Sequence, residues 1–234
     1  MKKINLSVVI PCYNEEKVLP ETIMNLEKFF FKHRDMFAGE LIFVNDGSSD
    51  TTEKILHSFK ETGKNIRVHS YNRNIGKGYA VRRGLMLAKY NNVLLLDADL
   101  SVRPEEMLLF ATMYNLNSEN PFIIQGQRIQ MIKQPIHRLF AGKCFELLHK
   151  LILNIGVNDT QAPFKLLHNL PEQFVSELKI DGFAYDCELL YKAKRQTIQI
   201  WKFDVSYINV EDSRVTIRKT IKMFFDLLRI RFIL

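Results

Sequence analysis

Val93-Leu94-Leu95-Leu96-Asp97-Ala98-Asp99 is the stretch on which the reading of this chain turns. Four consecutive apolar residues predict a strand covered on both faces, because a strand with one wet face alternates instead. Two carboxylates separated by one residue follow at once, where the chain leaves the sheet. Hard divalent cations such as Mg²⁺ or Mn²⁺ prefer oxygen ligands. Asp97 and Asp99 therefore read as a metal site whose cation bridges to a diphosphate leaving group. Alone, the same triplet reads more simply as a solvated acidic turn. The surrounding sequence decides between the two.

Upstream, short apolar runs alternate with helical patterns. Leu6–Ile10 predicts a strand ended by Pro11. Glu15–Phe31 predicts a helix, with Val18, Leu19, Ile23, Leu26 and Phe30 near helical spacing. Leu41–Val44 is a second strand, followed by the turn Asn45-Asp46-Gly47-Ser48. Ser49 or Asp50 caps the next helix, with Glu53 in its first turn. Ile66–Ser70 is a third strand, Gly78–Lys89 a helix and Val93–Leu96 the fourth strand. This alternation predicts an α/β fold with an open, mostly parallel sheet. Ligands of such sheets sit beyond the carboxyl ends of the strands. The polar motifs Pro11–Glu15, Asn45–Asp50, Asn72–Lys77 and Asp97–Asp99 all fall there. The second half is less regular. A strand is expected in Phe122–Gly126, helices in Ile136–Ile155 and Asp181–Arg195, a β-rich run in Ile198–Ile208 and a last helix in Val215–Phe232.

The chain has 234 residues, 47% hydrophobic and 25% charged. That is one globular domain with a core, which excludes disorder, collagen and a disulfide-stapled mini-fold. Cys12, Cys144 and Cys187 are far apart and odd in number, as for buried thiols in a reducing compartment. The apolar run after Met1–Asn5 stops at Pro11, too short for a signal-peptide core. No run of 18 apolar residues occurs. The best candidate, Cys144–Val157, is broken by Glu146, His149 and Lys150, so no spanning helix is expected. The histidines show no triad or metal spacing.

The formal charge is +7, which asks for an anionic partner. Arg214, Arg218, Lys219, Lys222, Arg229 and Arg231 face only Asp226 within residues 213–234, so five of the seven surplus charges sit there. The remainder is close to neutral, and a nucleic-acid coating does not fit it. Ile217, Ile221, Phe224, Phe225, Leu228 and Phe232 recur in the same segment at helical spacing. Such a basic amphipathic helix lies on an anionic membrane or packs on the sheet with its basic face in water. Leu139, Phe140, Leu147, Leu148 and Leu151 read as core or as part of a lipid-tail groove. The loop Asn72-Arg73-Asn74-Ile75-Gly76-Lys77-Gly78 is not a Walker A sequence, and Val81 replaces the third glycine of GxGxxG. Gly76 still permits close backbone approach, and Lys77 suits a phosphate.

Taken together, these motifs resemble a known family. Val8-Val9-Ile10-Pro11-Cys12-Tyr13-Asn14-Glu15-Glu16 looks like the opening of the inverting family-2 glycosyltransferases. Val44–Thr52, Asn74–Gly78 and Asp97-Ala98-Asp99 continue the resemblance in order. Asp159-Thr160-Gln161-Ala162-Pro163-Phe164-Lys165-Leu166 and Asp186-Cys187-Glu188-Leu189-Leu190 are similar to segments of its dolichyl-phosphate β-glucosyltransferase group. Three positions differ from the usual pattern: Asn45 stands for Asp, Gln127 for Ser, and Ala162-Pro163 for Cys-Gly. The resemblance implies a GT-A fold over residues 1–212, with helices on both sheet faces, a nucleotide-sugar half in 1–100 and an acceptor half in 101–212. Residues 213–234 would be the amphipathic helix. Pro11, Tyr13, Glu15, Asn45, Asp46, Gly76, Lys77 and Ala98 would hold the nucleotide sugar. Asp97 and Asp99 would carry Mg²⁺ or Mn²⁺. Arg128 and Arg138 would face the acceptor phosphate.

The implied reaction is metal-dependent, inverting transfer of a hexose from a nucleotide sugar such as UDP-glucose to a polyprenyl phosphate, dolichyl or undecaprenyl. The protein would sit peripherally on the inner, cytoplasmic face of a membrane, with homo-oligomerisation left open. A phosphate acceptor is already a nucleophile and needs no base. A sugar hydroxyl of a polysaccharide or glycolipid would need one, and Asp159 is the candidate, with Asp186 and Glu188 behind it. A reading of another class is a non-catalytic nucleotide-binding module.

Overall fold

In the computed structural model the apolar runs become the centre of one seven-stranded sheet. The structure describes residues 3–62, 65–114, 120–129, 136–207 and 217–233. The strands are β1 (Ile4–Cys12), β2 (Phe37–Asn45), β3 (Ile66–Ser70), β4 (Asn92–Leu96), β5 (Phe122–Ile129), β6 (Phe164–His168) and β7 (Gln199–Ser206). Their spatial order is β3-β2-β1-β4-β6-β5-β7. β1, β2, β3 and β4 are mutually parallel, while β6 runs antiparallel to both β4 and β5. β7 is parallel to β5. The chain therefore reverses its direction of travel across the sheet between β1 and β4, which opens a crevice beyond their carboxyl ends.

The helices are α1 (Leu19–Lys32), α2 (Thr52–Thr62), α3 (Lys77–Leu87), α4 (Met107–Tyr114), α5 (Ile136–Leu153), α6 (Glu172–Ser176), α7 (Tyr185–Arg195) and α8 (Ile217–Phe232). Alternating strand residues feed two cores. Leu6, Val8, Ile10, Phe43, Leu94 and Leu96 pack with residues of α1, α2 and α4. Val9, Ile42, Val44, Val93 and Leu95 pack with residues of α3, α5, α6, α7 and α8. Helices thus cover both faces, and every residue of β4 is buried, as its unbroken apolar pattern predicts.

Four expectations are adjusted. β1 continues through Pro11 to Cys12, because its pairing with β4 stops at Val9 and Pro11 is bordered by β2 alone. α1 begins at Leu19 rather than Glu15, since residues 15–18 form the turn that leads into it. Of the two candidate caps, Asp50 accepts the Thr52 N–H, at 3.0 Å, at the start of α2. The strand β6 and the helices α4 and α6 have no counterpart in the sequence reading. At the other end, α8 turns Met223, Leu227 and Ile230 inward, and Ile221, Phe225 and Phe232 outward. The side chains of Arg138, Leu139 and Phe140, and residues 208–216, lie outside the described residues.

Candidate active site

The carboxyl edge of the sheet is built by loops that brace one another. After β1, residues 13–16 are stitched to residues 48–52. The Asn14 N–H donates to Ser48 Oγ at 2.9 Å, the Glu15 N–H to Thr52 Oγ1 at 2.7 Å and the Glu16 N–H to Asp50 Oδ2 at 3.2 Å. In return, Asn14 Oδ1 accepts the Ser49 N–H at 2.8 Å. Asn14 adopts φ 54°, a left-handed conformation that asparagine tolerates. Pro11, Tyr13 and Glu15 are thereby held half-buried along this edge.

Asp46 is almost wholly buried and organises the next loop. Its carboxylate accepts Asn74 Nδ2 and the Ile75 N–H at 2.8 Å each, and the Gly76 N–H at 3.0 Å. Burial nevertheless holds this carboxyl above the usual range. Asn45 is buried beside it and accepts the Ser48 N–H at 3.1 Å. Gly76 has φ 141°, and a Cβ there would meet the Asp181 carbonyl at 2.3 Å. At Gly78 it would meet the Ile180 carbonyl at 2.2 Å. These glycines let the loop lie directly against residues 180–182, and the Gly78 N–H donates to the Asp181 carbonyl at 2.8 Å. That packing places Lys77 at the amino end of α3, facing β4.

Lys77 Nζ lies 2.6 Å from Asp97 Oδ1. Burial opposes the ammonium charge, but Asp97 and Asp186 outweigh it and hold its pKa high. Asp99 accepts the Ser101 N–H at 2.9 Å. Burial and the neighbouring Asp97 push the Asp99 carboxyl up. Two carboxylates in one partly buried turn, one already carrying a cation, form an oxygen-donor set that fits a hard divalent ion. No cluster of three or more His, Cys, Asp or Glu is assembled for a metal among the described residues.

Across the edge, Arg128 meets Asp159 in a two-pronged bond, Nε to Oδ2 at 2.6 Å and Nη2 to Oδ1 at 2.8 Å. The Arg128 guanidinium also lies 5.2 Å from the Tyr207 ring. The pair is positioned by register: Leu96 pairs with Phe164 and Gln125 with Lys165. The end of β4, the segment before β6 and the end of β5 therefore meet at one edge. Gln125 Nε2 also donates to the Asp159 carbonyl at 3.2 Å.

Beneath the site lies a buried ion pair. Lys165 Nζ is 2.6 Å from Asp186 Oδ1 and donates to the Ala162 carbonyl at 2.6 Å. Burial raises the Asp186 carboxyl, against the pull of Lys165 and Lys77. The sequence reading quoted Lys165 only inside a motif. Its signal was a lysine in the apolar run Phe164–Leu167, where a buried charge demands a partner. Glu188, the other reserve carboxylate, is fully buried and accepts the Lys179 and Ile180 N–H groups at 2.8 Å each. It braces the 177–182 segment on which the Lys77 loop rests.

Comparison with known proteins agrees with this architecture. The model of glycosyl transferase family 2 matches residues 7–167. The dolichyl-phosphate beta-glucosyltransferase of Mus musculus is 36% identical over 242 residues, covering 97% of this chain and 74% of that protein. Its counterpart in Dictyostelium discoideum is 30% identical, with 98% and 74% covered. Among solved structures, glucosyl-3-phosphoglycerate synthase of Mycobacterium tuberculosis with Mn²⁺, UDP and glucosyl-3-phosphoglycerate superposes with TM-score 0.70 at 16% identity, over 97% of this chain and 78% of that one. Mannosyl-3-phosphoglycerate synthase of Rubrobacter xylanophilus gives 0.69 at 18%, over 97% and 72%. These structures share the fold. With a family model spanning the sheet from β1 to β6 and relatives matched along nearly the whole chain, this protein belongs to glycosyl transferase family 2.

Proposed function

We propose that this protein transfers glucose from UDP-glucose, with inversion, to the phosphate of a polyprenyl lipid, dolichyl or undecaprenyl. The Arg128–Asp159 pair carries this reading. Asp159 is the candidate base for a hydroxyl acceptor, yet both its oxygens are engaged by Arg128. A base in that state is poorly placed to take a proton. A phosphate monoester needs none, because its second pKa is about 6 and it is largely dianionic at pH 7. An arginine fork held rigidly at the acceptor edge suits such a dianion. The relatives named for dolichyl phosphate and glucose support both substrates.

In this reading Asp97 and Asp99 hold Mn²⁺ or Mg²⁺, as the Mn²⁺ and UDP complexes of the fold neighbour suggest. When bound, the ion neutralises charge on the departing diphosphate. Lys77 adds a second positive charge there. Pro11, Tyr13, Glu15, Asn45 and Asp46 shape the nucleoside pocket, and Gly76 and Ala98 bring backbone close to the donor. Arg128 and Arg138 hold the acceptor phosphate so that its oxygen attacks the anomeric carbon in line, turning an α-linked donor into a β-linked product. Residues 1–100 supply the donor half, 101–212 the acceptor half and 213–234 a membrane-facing helix. No helix among the described residues is long and apolar enough to cross a membrane. In this proposal the enzyme sits peripherally on the inner, cytoplasmic face, where a polyprenyl-phosphate acceptor and a basic amphipathic helix would both meet the membrane. The test is incubation with Mn²⁺ or Mg²⁺, several nucleotide sugars, a short polyprenyl phosphate and a set of glycan acceptors. A new glycolipid from UDP-glucose is expected. Product on glycans with none on the lipid would overturn the proposal.

A further inference from the structure

α7 begins beside the active site, at Asp186, and ends at a separate cleft of about 590 Å³ between α5, α7 and α8. Lys194, Arg195 and Arg231 line this cleft, and none of its lining residues is acidic. Each cation is seated on a neutral group. Lys194 Nζ donates to the Asn154 carbonyl. Arg231 Nη1 donates to the Tyr191 hydroxyl at 2.8 Å, and the Arg195 guanidinium lies 5.9 Å from the Tyr191 ring. Three positive charges are thus oriented around one space with no carboxylate among its described lining residues. Such a cluster attracts an anion.

The ground beside the cleft is apolar. Leu151, on its wall, is 73% exposed, and Phe232, next to Arg231, is 77% exposed. Leu147 on α5, and Ile221 and Phe225 on α8, are also exposed. Leu147 and Leu151 are four apart, as are Ile221 and Phe225, and Phe232 follows Phe225 by seven, so each set shares one face of its helix. α5 and α8 pack against each other, and Met223, Leu227 and Ile230 already fill the inward face of α8. The exposed rows are therefore surplus to the core, and the two helices that carry them meet at the cleft, which Leu151 of α5 and Arg231 of α8 both line. Apolar rows that end at an anion-seeking cleft match the two parts of a phospholipid, its acyl chains and its phosphate.

We infer that this flank is the membrane-docking face. Lys194, Arg195 and Arg231 hold the phosphate of an anionic phospholipid, while the exposed residues of α5 and α8 enter the acyl boundary. The inference rests on the peripheral attachment proposed above and assigns it a surface. It adds a second phosphate site, distinct from the acceptor site at Arg128. It also moves the docking charge from the helix of residues 213–234 alone to a cleft shared with α7.

Co-sedimentation of the full chain tests it, with vesicles of phosphatidylcholine alone and with 30 mol% phosphatidylglycerol, chosen as about a third anionic lipid. Wild type should bind the anionic vesicles, and less so as salt rises. The triple change Lys194→Gln, Arg195→Gln, Arg231→Gln should lower the partition coefficient about 10- to 100-fold, from a contribution near each basic residue. Phe225→Ser with Phe232→Ser should lower it comparably and remove the salt-resistant part. The matched control Lys28→Gln and Lys32→Gln on α1 with Arg34→Gln in the turn after it, across the sheet, should change it less than threefold, the ordinary effect of screened charge. All variants should keep full activity on a short acceptor in detergent, which reports folding. Equal loss in the control, or wild-type binding by the triple variant, would overturn the docking face and leave membrane attachment standing. Failure of wild type to bind anionic vesicles would overturn both. Competition by millimolar inorganic phosphate as strong as that by lipid would overturn the lipid assignment.

Discussion

Asp159→Asn separates the two chemistries open to this site. The Asp159 carboxylate and the Arg128 guanidinium are roughly a quarter to a third exposed, with side-chain accessibilities of 23% and 32%, so solvent screens them only in part. The substitution keeps one oxygen acceptor and loses one of the two charge-assisted bonds. Such a bond is worth about 1.5–3 kcal/mol when buried, and partial exposure favours the lower half of that range. If Asp159 only positions Arg128, kcat/KM should fall about 10- to 30-fold, since 1.36 kcal/mol is tenfold in rate. If Asp159 were a general base, the loss would be about 10²- to 10⁴-fold. The pH profile adds an independent readout. With a phosphate acceptor, the rate should decline below about pH 6, where the acceptor takes up its second proton. That limb belongs to the substrate, so the variant should keep it. The assay is initial-rate glycolipid formation from UDP-glucose and a short polyprenyl phosphate, from pH 5 to pH 8. Arg128→Gln should cost more than Asp159→Asn, and the double variant little more than Arg128→Gln, because the two residues act as a unit. A thousandfold loss in Asp159→Asn with loss of the acid limb and unaltered thermal unfolding would refute the reasoning.

Two further outcomes follow from the ion pairs around the donor site. Lys77→Met removes the ammonium that lies 2.6 Å from Asp97. Mn²⁺ binding without nucleotide, followed by the electron paramagnetic resonance of free Mn²⁺, should tighten, while UDP binding by calorimetry should weaken about tenfold, the scale of one lost charge-assisted contact. Weakening of both would show that Lys77 does not compete for Asp97. Lys165→Met removes the nearest cation from the buried Asp186 carboxyl, so the unfolding free energy should drop by about 3–5 kcal/mol. Adding Asp186→Leu should restore much of it, as measured by denaturant titration, and no recovery would contradict an electrostatic cause.

The first half of the fold is legible because its signals are local. Val93–Leu96 and Leu41–Val44 are apolar runs closed by polar turns, Ile66–Ser70 alternates apolar and polar residues at its start, and each becomes a strand within a few residues of its expected bounds. The second half is harder for a physical reason. β6 holds Lys165 at its second position, a charge that breaks the apolar pattern of a central strand, and only the distant Asp186 makes it tolerable. The outward row of α8 is equally illegible. Ile221, Phe225 and Phe232 have the spacing of a core stripe, but Met223, Leu227 and Ile230 reach the neighbouring helices first. At the site, Asp97, Asp99, Lys77, Arg128 and Asp159 are visible as residue types in motifs. Their pairing is not, because it depends on strand register: Asp159 and Arg128 are 31 positions apart and meet only where β5 pairs with β6.

That pairing pattern has a consequence for an enzyme that must bring two anions together. A site built to bind a diphosphate and a phosphate needs several cations within a few ångströms, and such cations repel one another before the substrates arrive. Among the described residues three are neutralised in place, Lys77 by Asp97, Arg128 by Asp159 and Lys165 by Asp186. The pairs differ in burial, and the difference sorts their roles. Lys165 and Asp186 are almost wholly enclosed, so the pair is fixed and serves as a charged foundation. Lys77 and Asp97 are open enough for an arriving diphosphate to reach the ammonium while Asp97 turns to other ligands. Arg128 keeps both its bonds to Asp159 and still has donors left in its fork for an incoming oxygen anion. In the proposed reaction the site thus stores its positive charge as ion pairs of graded accessibility, and donor binding becomes an exchange of partners at Lys77 rather than the approach to a bare charge.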